Sequence, residues 1–346
     1  MKIGVATVTQ LADFDQIVDV RSPAEFAEDH IPGAINCPVL DDVQRAEIGT
    51  LYTQVSPFAA RRVGAAYVAA AIGRHLQEHF IEKPKHWRPL VMCWRGGQRS
   101  GAMVQVLRAI GWDARQLEGG YKAYRRQVMA ELEELPQQLG WRVITGPTGS
   151  GKTRLLAALA RRGGQVLDLE ALAGHRGSVL GALPALAQPG QKRFETLLGQ
   201  ALRGFSGSAP VWVEAESRRI GRLYLPSALL AAIRAAEPFV IEAPLAARTR
   251  FLLDEYACWL TAPEKLKACL DVLRPLRGNE TIARWQQMID AGRFADLVAE
   301  LLEAHYDPAY RSSQARHFAV RDDSHRLVAD ALDETNLDLL AERLME

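Results

Sequence analysis

Short apolar runs alternate along this chain with longer stretches whose apolar residues recur at helical spacing. Ile17-Val18-Asp19-Val20 is compact and apolar, and it predicts a strand. Ser22-Pro23 predicts the start of a short helix, with proline in the first turn, where its missing N–H leaves no bond unmade. Ile31-Pro32-Gly33-Ala34 predicts a turn leading into a strand over 35–39, and a helix is expected over 61–77. Leu90-Val91-Met92 predicts a buried strand that ends at Cys93. From about Arg99, the spacing of Met103, Val106, Leu107 and Ile110 predicts a helix with those four on one face. Leu117-Glu118-Gly119-Gly120 closes a further strand, and Tyr121 opens a helix running toward Leu135. Strands separated by helices imply a mostly parallel sheet.

The stretch 131–140, with Pro136 inside it, predicts a boundary between domains at 12–133 and 138–346. Beyond it the pattern restarts. A strand is expected over 141–145, then a glycine-rich loop, then a helix over 153–162. Further strands are expected over 166–169, 210–213 and 239–242, and the chain after Leu245 reads as entirely helical. The fold class is therefore α/β, in two parallel-sheet domains, the second with a helical C-terminal region.

Composition narrows the function. Across 346 residues, 42 Lys+Arg balance 41 Asp+Glu, so any nucleic-acid binding needs a local basic patch. Arg218-Arg219 with Arg222, and Arg248 with Arg250, are the candidates, although such charges more often sit on solvated helices. No segment approaches the roughly 20 apolar residues that span a bilayer, and no signal peptide is evident, so no membrane role is expected. Cysteines stand at 37, 93, 258 and 269 with no Cys-x-x-Cys pair, which argues against a zinc site and a disulfide framework. A reducing, cytoplasmic compartment fits and would keep Cys93 a free thiol.

Two devices carry the chemistry. The first is the loop Cys93-Trp94-Arg95-Gly96-Gly97-Gln98-Arg99-Ser100. Backbone N–H groups of Gly96-Gly97, a helix N-terminus, and the charges of Arg95 and Arg99 all favour thiolate at Cys93, and the same nest suits a tetrahedral oxyanion. The second is Gly146-Pro147-Thr148-Gly149-Ser150-Gly151-Lys152-Thr153, a full G-x-x-x-x-G-K-[ST] phosphate loop between a strand and a helix. Gly149 and Gly151 let the backbone wrap an anion, Lys152 neutralises it, and the Thr153 hydroxyl suits Mg²⁺. The usual apolar strand ending in Asp is not evident, and Glu214 and Glu216 are the nearest substitutes. A diphosphate-bearing substrate suits the loop as well as a nucleotide does.

Asp19-Val20-Arg21-Ser22-Pro23-Ala24-Glu25-Phe26, His30-Ile31-Pro32-Gly33-Ala34, the Cys93 loop and Leu117-Glu118-Gly119-Gly120-Tyr121 resemble, in order and spacing, the rhodanese domain. Asp19, Arg21, Glu25 and His30 read as structural polar contacts there. Five residues separate Cys93 from Arg99, one more than in common sulfurtransferase loops, and that spacing is similar to dual-specificity phosphatases. It makes a roomier pocket. Leu169-Glu170-Ala171-Leu172-Ala173-Gly174-His175-Arg176-Gly177-Ser178 extends the likeness. With both loops, the whole chain resembles the bacterial tRNA 2-selenouridine synthases: a rhodanese-like parallel-sheet domain followed by a P-loop NTPase-like domain.

The resemblance implies replacement of sulfur by selenium in wobble 2-thiouridine, with selenophosphate and geranyl diphosphate as co-substrates. It implies an S-geranyl-2-thiouridine intermediate and Cys93 as a perselenide carrier. Gly146, Gly149, Ser150, Gly151, Lys152 and Thr153 would hold the diphosphate. Trp94, Gly96, Gly97, Glu170, His175 and Arg176 are candidate substrate contacts, with Trp94 and Tyr121 placed to stack on a flipped uridine. For Tyr121 core packing is the simpler reading. The aliphatic-rich helices after Leu245 suit a prenyl pocket or a link between domains. No tightly bound cofactor is expected; Mg²⁺ is a candidate, and whether the reaction requires it is left open. The partners are tRNA and, functionally, a selenophosphate synthetase. Two rival readings stand beside this one. A cysteine-dependent phosphatase or sulfurtransferase fused to a kinase-like domain fits the loop spacing, but no acidic partner for the loop can be placed. A non-catalytic anion-binding module would leave Cys93 and Lys152 idle.

Overall fold

The computed structural model describes residues 4–177, 187–317 and 325–346. Ser178, the last residue of the histidine-containing segment, lies outside them. The chain divides into two compact units: residues 4–132 with Gly190–Gln200, and Glu133–Pro189 with Ala201–Glu346.

The first unit is built on a parallel sheet of β1 (Val5–Ala6), β2 (Gln16–Asp19), β3 (Ile35–Asn36), β4 (Pro89–Met92) and β5 (Arg115–Leu117), in the order β1-β5-β4-β2-β3. Its core gathers Val18, Val20, Val91, Met103 and Leu107, all fully buried. β3 stops short of the expected 35–39 because Pro38 has no N–H to give the ladder. Single bonds continue on either side of it, from Cys37 N–H to Asp19 O and from Val39 N–H to Val20 O. Ser22 caps the helix Pro23–Glu28 in a capping box with Glu25. The helix expected over 61–77 begins earlier, at Pro57, and runs to His75. On the helix Gln98–Ile110, Met103 and Leu107 are buried, but Ile110 is exposed and Val104 takes its share of the core. The helix from Gly120 continues through Pro136 to Gln138. Proline sits close enough to the helix end that the intrahelical bond it forgoes is one of the last.

The second unit repeats the plan with β6 (Trp141–Thr145), β7 (Gln165–Leu167), β8 (Val211–Glu214), β11 (Glu237–Glu242) and β12 (Arg326–Val328), all parallel in the order β12-β11-β6-β8-β7. A hairpin of β9 (Arg219–Ile220) and β10 (Leu223–Tyr224) stands apart from that sheet. The expectation of an entirely helical chain after Leu245 is corrected by β12. Three residues carry no periodicity of their own, and pairing along β11 makes them a strand. One core cluster packs the helix Lys152–Arg161 and the final helix Glu334–Met345 on this sheet. A separate cluster, with Trp259, Leu266, Leu270, Trp285 and Leu297, fills the helical region.

Candidate functional site

Cys93 leaves the fully buried β4 and is itself buried. Its Sγ accepts hydrogen bonds from the Gly97 N–H (3.3 Å) and the Ser100 hydroxyl (3.1 Å). Burial works to raise the thiol pKa. The Ser100 and Gly97 donors, with the Arg99 charge, outweigh it and hold the pKa below the ordinary thiol value. Gln116 on β5 donates to Ser100 Oγ and to the Gly97 carbonyl, both at 2.8 Å. That bond occupies an acceptor position on Ser100 and leaves its hydrogen for the sulfur. The loop is clasped from the far side: the Tyr121 N–H donates to Cys93 O (2.9 Å) and the Lys122 N–H to Trp94 O (3.0 Å). Gly120, at φ +57°, lies so close that a Cβ there would stand 2.2 Å from Cys93 O.

The arginines divide. Arg99 is half-buried and paired with Glu25 at 2.7 Å, so its charge is shared with a carboxylate 74 residues earlier in the chain. Arg95 is exposed on the loop. Asp19 and Arg21 form a fully buried ion pair, and the Arg21 guanidinium sits 4.0 Å over the Tyr121 ring. Tyr121 is buried, and its hydroxyl donates to Asp29 at 2.8 Å. It is core, not a stacking platform for a base. Trp94 is half-buried against it, with ring centroids 5.3 Å apart.

In the second unit the phosphate loop joins β6 to the helix Lys152–Arg161. Gly149 (φ +79°) lies against Leu252, whose Cγ would stand 2.9 Å from an added Cβ, so the loop backbone rests directly on the helix Leu245–Glu255. Arg248 of that helix is buried. It donates to Thr148 O (3.2 Å) and makes a two-pronged pair with Asp307 (2.8 and 2.7 Å). It braces the loop and has no surface to offer tRNA. Arg250 is exposed. Ser150 is buried inside the loop. Lys152 Nζ donates to Gly146 O (3.1 Å) and pairs with Glu214 at 3.4 Å.

Glu214 ends β8, the strand next to β6, and so occupies the position expected of the missing Asp. Thr153 Oγ1 lies 3.0 Å from Glu214 Oε2 and 3.2 Å from Glu170 Oε2. Glu170, Glu214 and Glu216 bring carboxylate oxygens within 4.8 Å of one another. Burial and that crowding push Glu170 up to about 9 and Glu216 up to about 8. Hard oxygen donors beside a phosphate loop fit Mg²⁺.

These residues line one cleft with Arg176, Arg218, Tyr256 and Tyr306. Arg176 is paired with Glu255 at 3.1 Å and sits 5.0 Å over the Tyr256 ring. His175 is not among the lining residues. Its Nδ1 accepts from the Gly177 N–H, and burial lowers its pKa. Arg219 and Arg222 donate to backbone carbonyls of Gly221 and Gln188. Sequence reasoning missed Gln116, the Glu25–Arg99 pair, the Arg248–Asp307 brace and the grouping of Glu170 with Glu214. Only folding brings those partners together.

Fold and loops together define the class: a rhodanese-like domain with a reactive-cysteine loop, joined in one chain to a P-loop domain. Residues 6–127 match the rhodanese-like domain, and residues 139–269 match the tRNA 2-selenouridine synthase AAA domain. The tRNA 2-selenouridine synthase of Bdellovibrio bacteriovorus is 32% identical over 348 residues, covering 88% of this chain and 90% of that one. That of Cronobacter sakazakii is 33% identical over 350 residues, with 90% and 91% covered. That of Nitrosomonas europaea is 38% identical over 266 residues, with 75% and 68% covered. The chain belongs to the tRNA 2-selenouridine synthase family.

Proposed function

We propose that this chain is a transferase that converts wobble 2-thiouridine in tRNA to 2-selenouridine, with selenophosphate as selenium donor and geranyl diphosphate as activator. The observation that carries the reading is the pairing, in one member of this family, of a hydrogen-bonded low-pKa thiol with a complete phosphate loop. Sulfur on a pyrimidine C2 leaves poorly as it stands. Attack of that sulfur on C1 of geranyl diphosphate forms a C–S bond, breaks the C–O bond and releases pyrophosphate. Lys152 and the backbone amides of Gly149, Ser150 and Gly151 would stabilise the departing charge. Thr153, Glu170 and Glu214 would hold Mg²⁺, which would screen the diphosphate.

Cys93 is the nucleophile for selenophosphate. Electron counting decides which atom it strikes. A perselenide formed at Cys93 would release phosphite, or would need a two-electron oxidant to release phosphate. Attack on phosphorus is redox-neutral: an S–P bond forms, the P–Se bond breaks, and selenium departs as selenide with the electron pair. Water then frees phosphate from the cysteine, with Arg99 and the Gly97 amide beside the transferring group. Selenide adds to C2 of the geranylated base and geranylthiolate leaves. The selenophosphate would come from a selenophosphate synthetase, in the same reducing cytoplasm that keeps Cys93 a free thiol.

The test is mass spectrometry of tRNA nucleosides from cells lacking this chain and complemented with variants. Cys93→Ala is expected to retain geranylated thiouridine and lack selenouridine. Lys152→Ala is expected to lack the geranylated nucleoside. If Cys93→Ala abolishes both products, the division of labour between the loops is wrong.

A further inference from the structure

A buried histidine in the first unit holds a lone pair with no partner. His75 closes the helix Pro57–His75 and is only 5% exposed. Its Nε2 stands 2.9 Å from the carbonyl of Pro38. A carbonyl can only accept, so Nε2 carries the ring hydrogen and Nδ1 carries the lone pair. Nδ1 is buried and no hydrogen bond reaches it. Burial also lowers the ring's pKa, so the imidazole stays neutral instead of taking a proton there. A buried acceptor without a donor is rare in a folded protein and calls for an explanation.

Two further metal-ligating side chains stand close by. His79 lies one turn further on, in the π-helical turn Leu76–Phe80, with its ring stacked on His75 at a centroid separation of 5.6 Å. Cys37 follows the edge strand β3, is fully buried and forms no disulfide. The Cys37 sulfur and one ring nitrogen from each histidine lie within 4.8 Å of one another. Ligands of a tetrahedral zinc stand about 3.3–3.6 Å apart, so small side-chain rotations complete the set. His79, about half exposed, has room for one.

We propose that Cys37, His75 and His79 bind one borderline-soft divalent cation of the zinc type, with a fourth position left to water on the exposed His79 side. Thiolate with imidazole suits Zn²⁺, whereas Mg²⁺ and Ca²⁺ take oxygen ligands. The bond from His75 Nε2–H to the Pro38 carbonyl is the outer-shell contact that fixes a ligating tautomer. Burial and the Asp19 charge push the Cys37 thiol up to about 12, so the sulfur keeps its proton until a cation displaces it to water. The bound ion would pin β3, two residues long and paired on one side only, to the end of the helix. No Cys-x-x-Cys spacing announces the site, because one ligand follows a strand and the other two close a helix.

The test titrates Co²⁺, a spectroscopic substitute for Zn²⁺, into the full chain carrying Cys93→Ser, which removes the reactive-loop thiol. One equivalent is expected to give a sulfur-to-cobalt charge-transfer band that Zn²⁺ then bleaches. The carboxylates beside the phosphate loop can take Co²⁺ as well, but oxygen ligands give no such band. His79→Ala, a change at a half-exposed side chain, is expected to weaken cobalt binding at least ~10-fold, since even the loss of an outer-shell partner costs that much. Cys37→Ala should remove the band outright, with circular dichroism checking that this buried substitution still folds; if it does not, His79→Ala decides. A missing band in the Cys93→Ser chain overturns the proposal. So does a band of unchanged affinity in His79→Ala, which would assign the metal to another cysteine.

Discussion

At Cys93, two hydrogen-bond donors and one nearby charge work against burial. The Ser100 hydroxyl, the Gly97 amide and the Arg99 charge together overcome a burial that by itself would keep the thiol protonated. Ser100→Ala removes the closest donor. The pH at which iodoacetamide labels Cys93 at half its maximal rate should therefore rise, and Gln116→Ala should shift it the same way by less. An unchanged profile in Ser100→Ala would mean the amides alone hold the thiolate. The carboxylates beside Thr153 behave in the opposite sense. Glu170 and Glu216 have folded-state pKa values raised to about 9 and about 8. Their contribution to stability is complete below their ordinary pKa near 4.5, falls progressively as pH rises above it, and is fully lost once pH has passed 8 to 9. A Mg²⁺ ion held there would have to displace those protons, so on the proposed reading its affinity should climb steeply between pH 7 and 9, with protons released on binding. Titration calorimetry in buffers of different ionisation enthalpy checks this. Glu170→Gln should flatten the pH dependence.

Among the elements, the helix Gln191–Arg203 makes the clearest case. Its first residues group with the first unit, and one buried carboxylate gathers them there. Asp29 Oδ2 accepts from Tyr121 and Thr196, each at 2.8 Å, and Arg125 and Arg193 approach to within 3.9 and 3.8 Å. Thr196→Val should cost about 1.5–2 kcal/mol in unfolding free energy, the lower range for a hydrogen bond to a charged acceptor. Asp29→Ala takes the acceptor from the buried Tyr121 and Thr196 hydroxyls and the facing charge from Arg125 and Arg193, which keep Glu195 and the His30 carbonyl, and should cost about 3 kcal/mol or more. Denaturant melts compare the two, and equal losses would show that Asp29 is solvated in practice. Gly120 makes a second case, since any side chain there collides with the backbone of the cysteine loop. Gly120→Ala should lower thiol reactivity through displaced geometry, even where the melting temperature changes little.

For the whole molecule, near-neutral charge means that tRNA must be held by a patch, not by bulk attraction. Of the arginines singled out by sequence, Arg248 is withdrawn into the loop brace, Arg219 and Arg222 are spent on backbone carbonyls, and Arg218 is exposed on the cleft. Binding of tRNA should weaken steeply with added salt, and Arg218→Ala should reduce that slope by about one counterion. A salt response unaltered in the variant would place the contact elsewhere. Among the described residues no helix is long and apolar enough to cross a membrane.

Both loops were legible from the chain because each is a local device. A few consecutive residues, with glycines where the backbone turns left-handed, set the strand, loop and helix that present Cys93 or Lys152. The strands Ile17-Val18-Asp19 and Trp141 to Thr145 were legible for a similar reason: both faces are buried, so they read as apolar runs. Tertiary structure alone decided what lies beside these devices. Glu25 reaches Arg99, Glu214 reaches Lys152, and Asp307 reaches Arg248 only because the order of strands and helices places distant segments side by side. The strand β12 belongs to the same group. Contacts between remote residues leave no periodic trace in either partner, since each residue is chosen to suit a neighbour that the chain reaches only by folding.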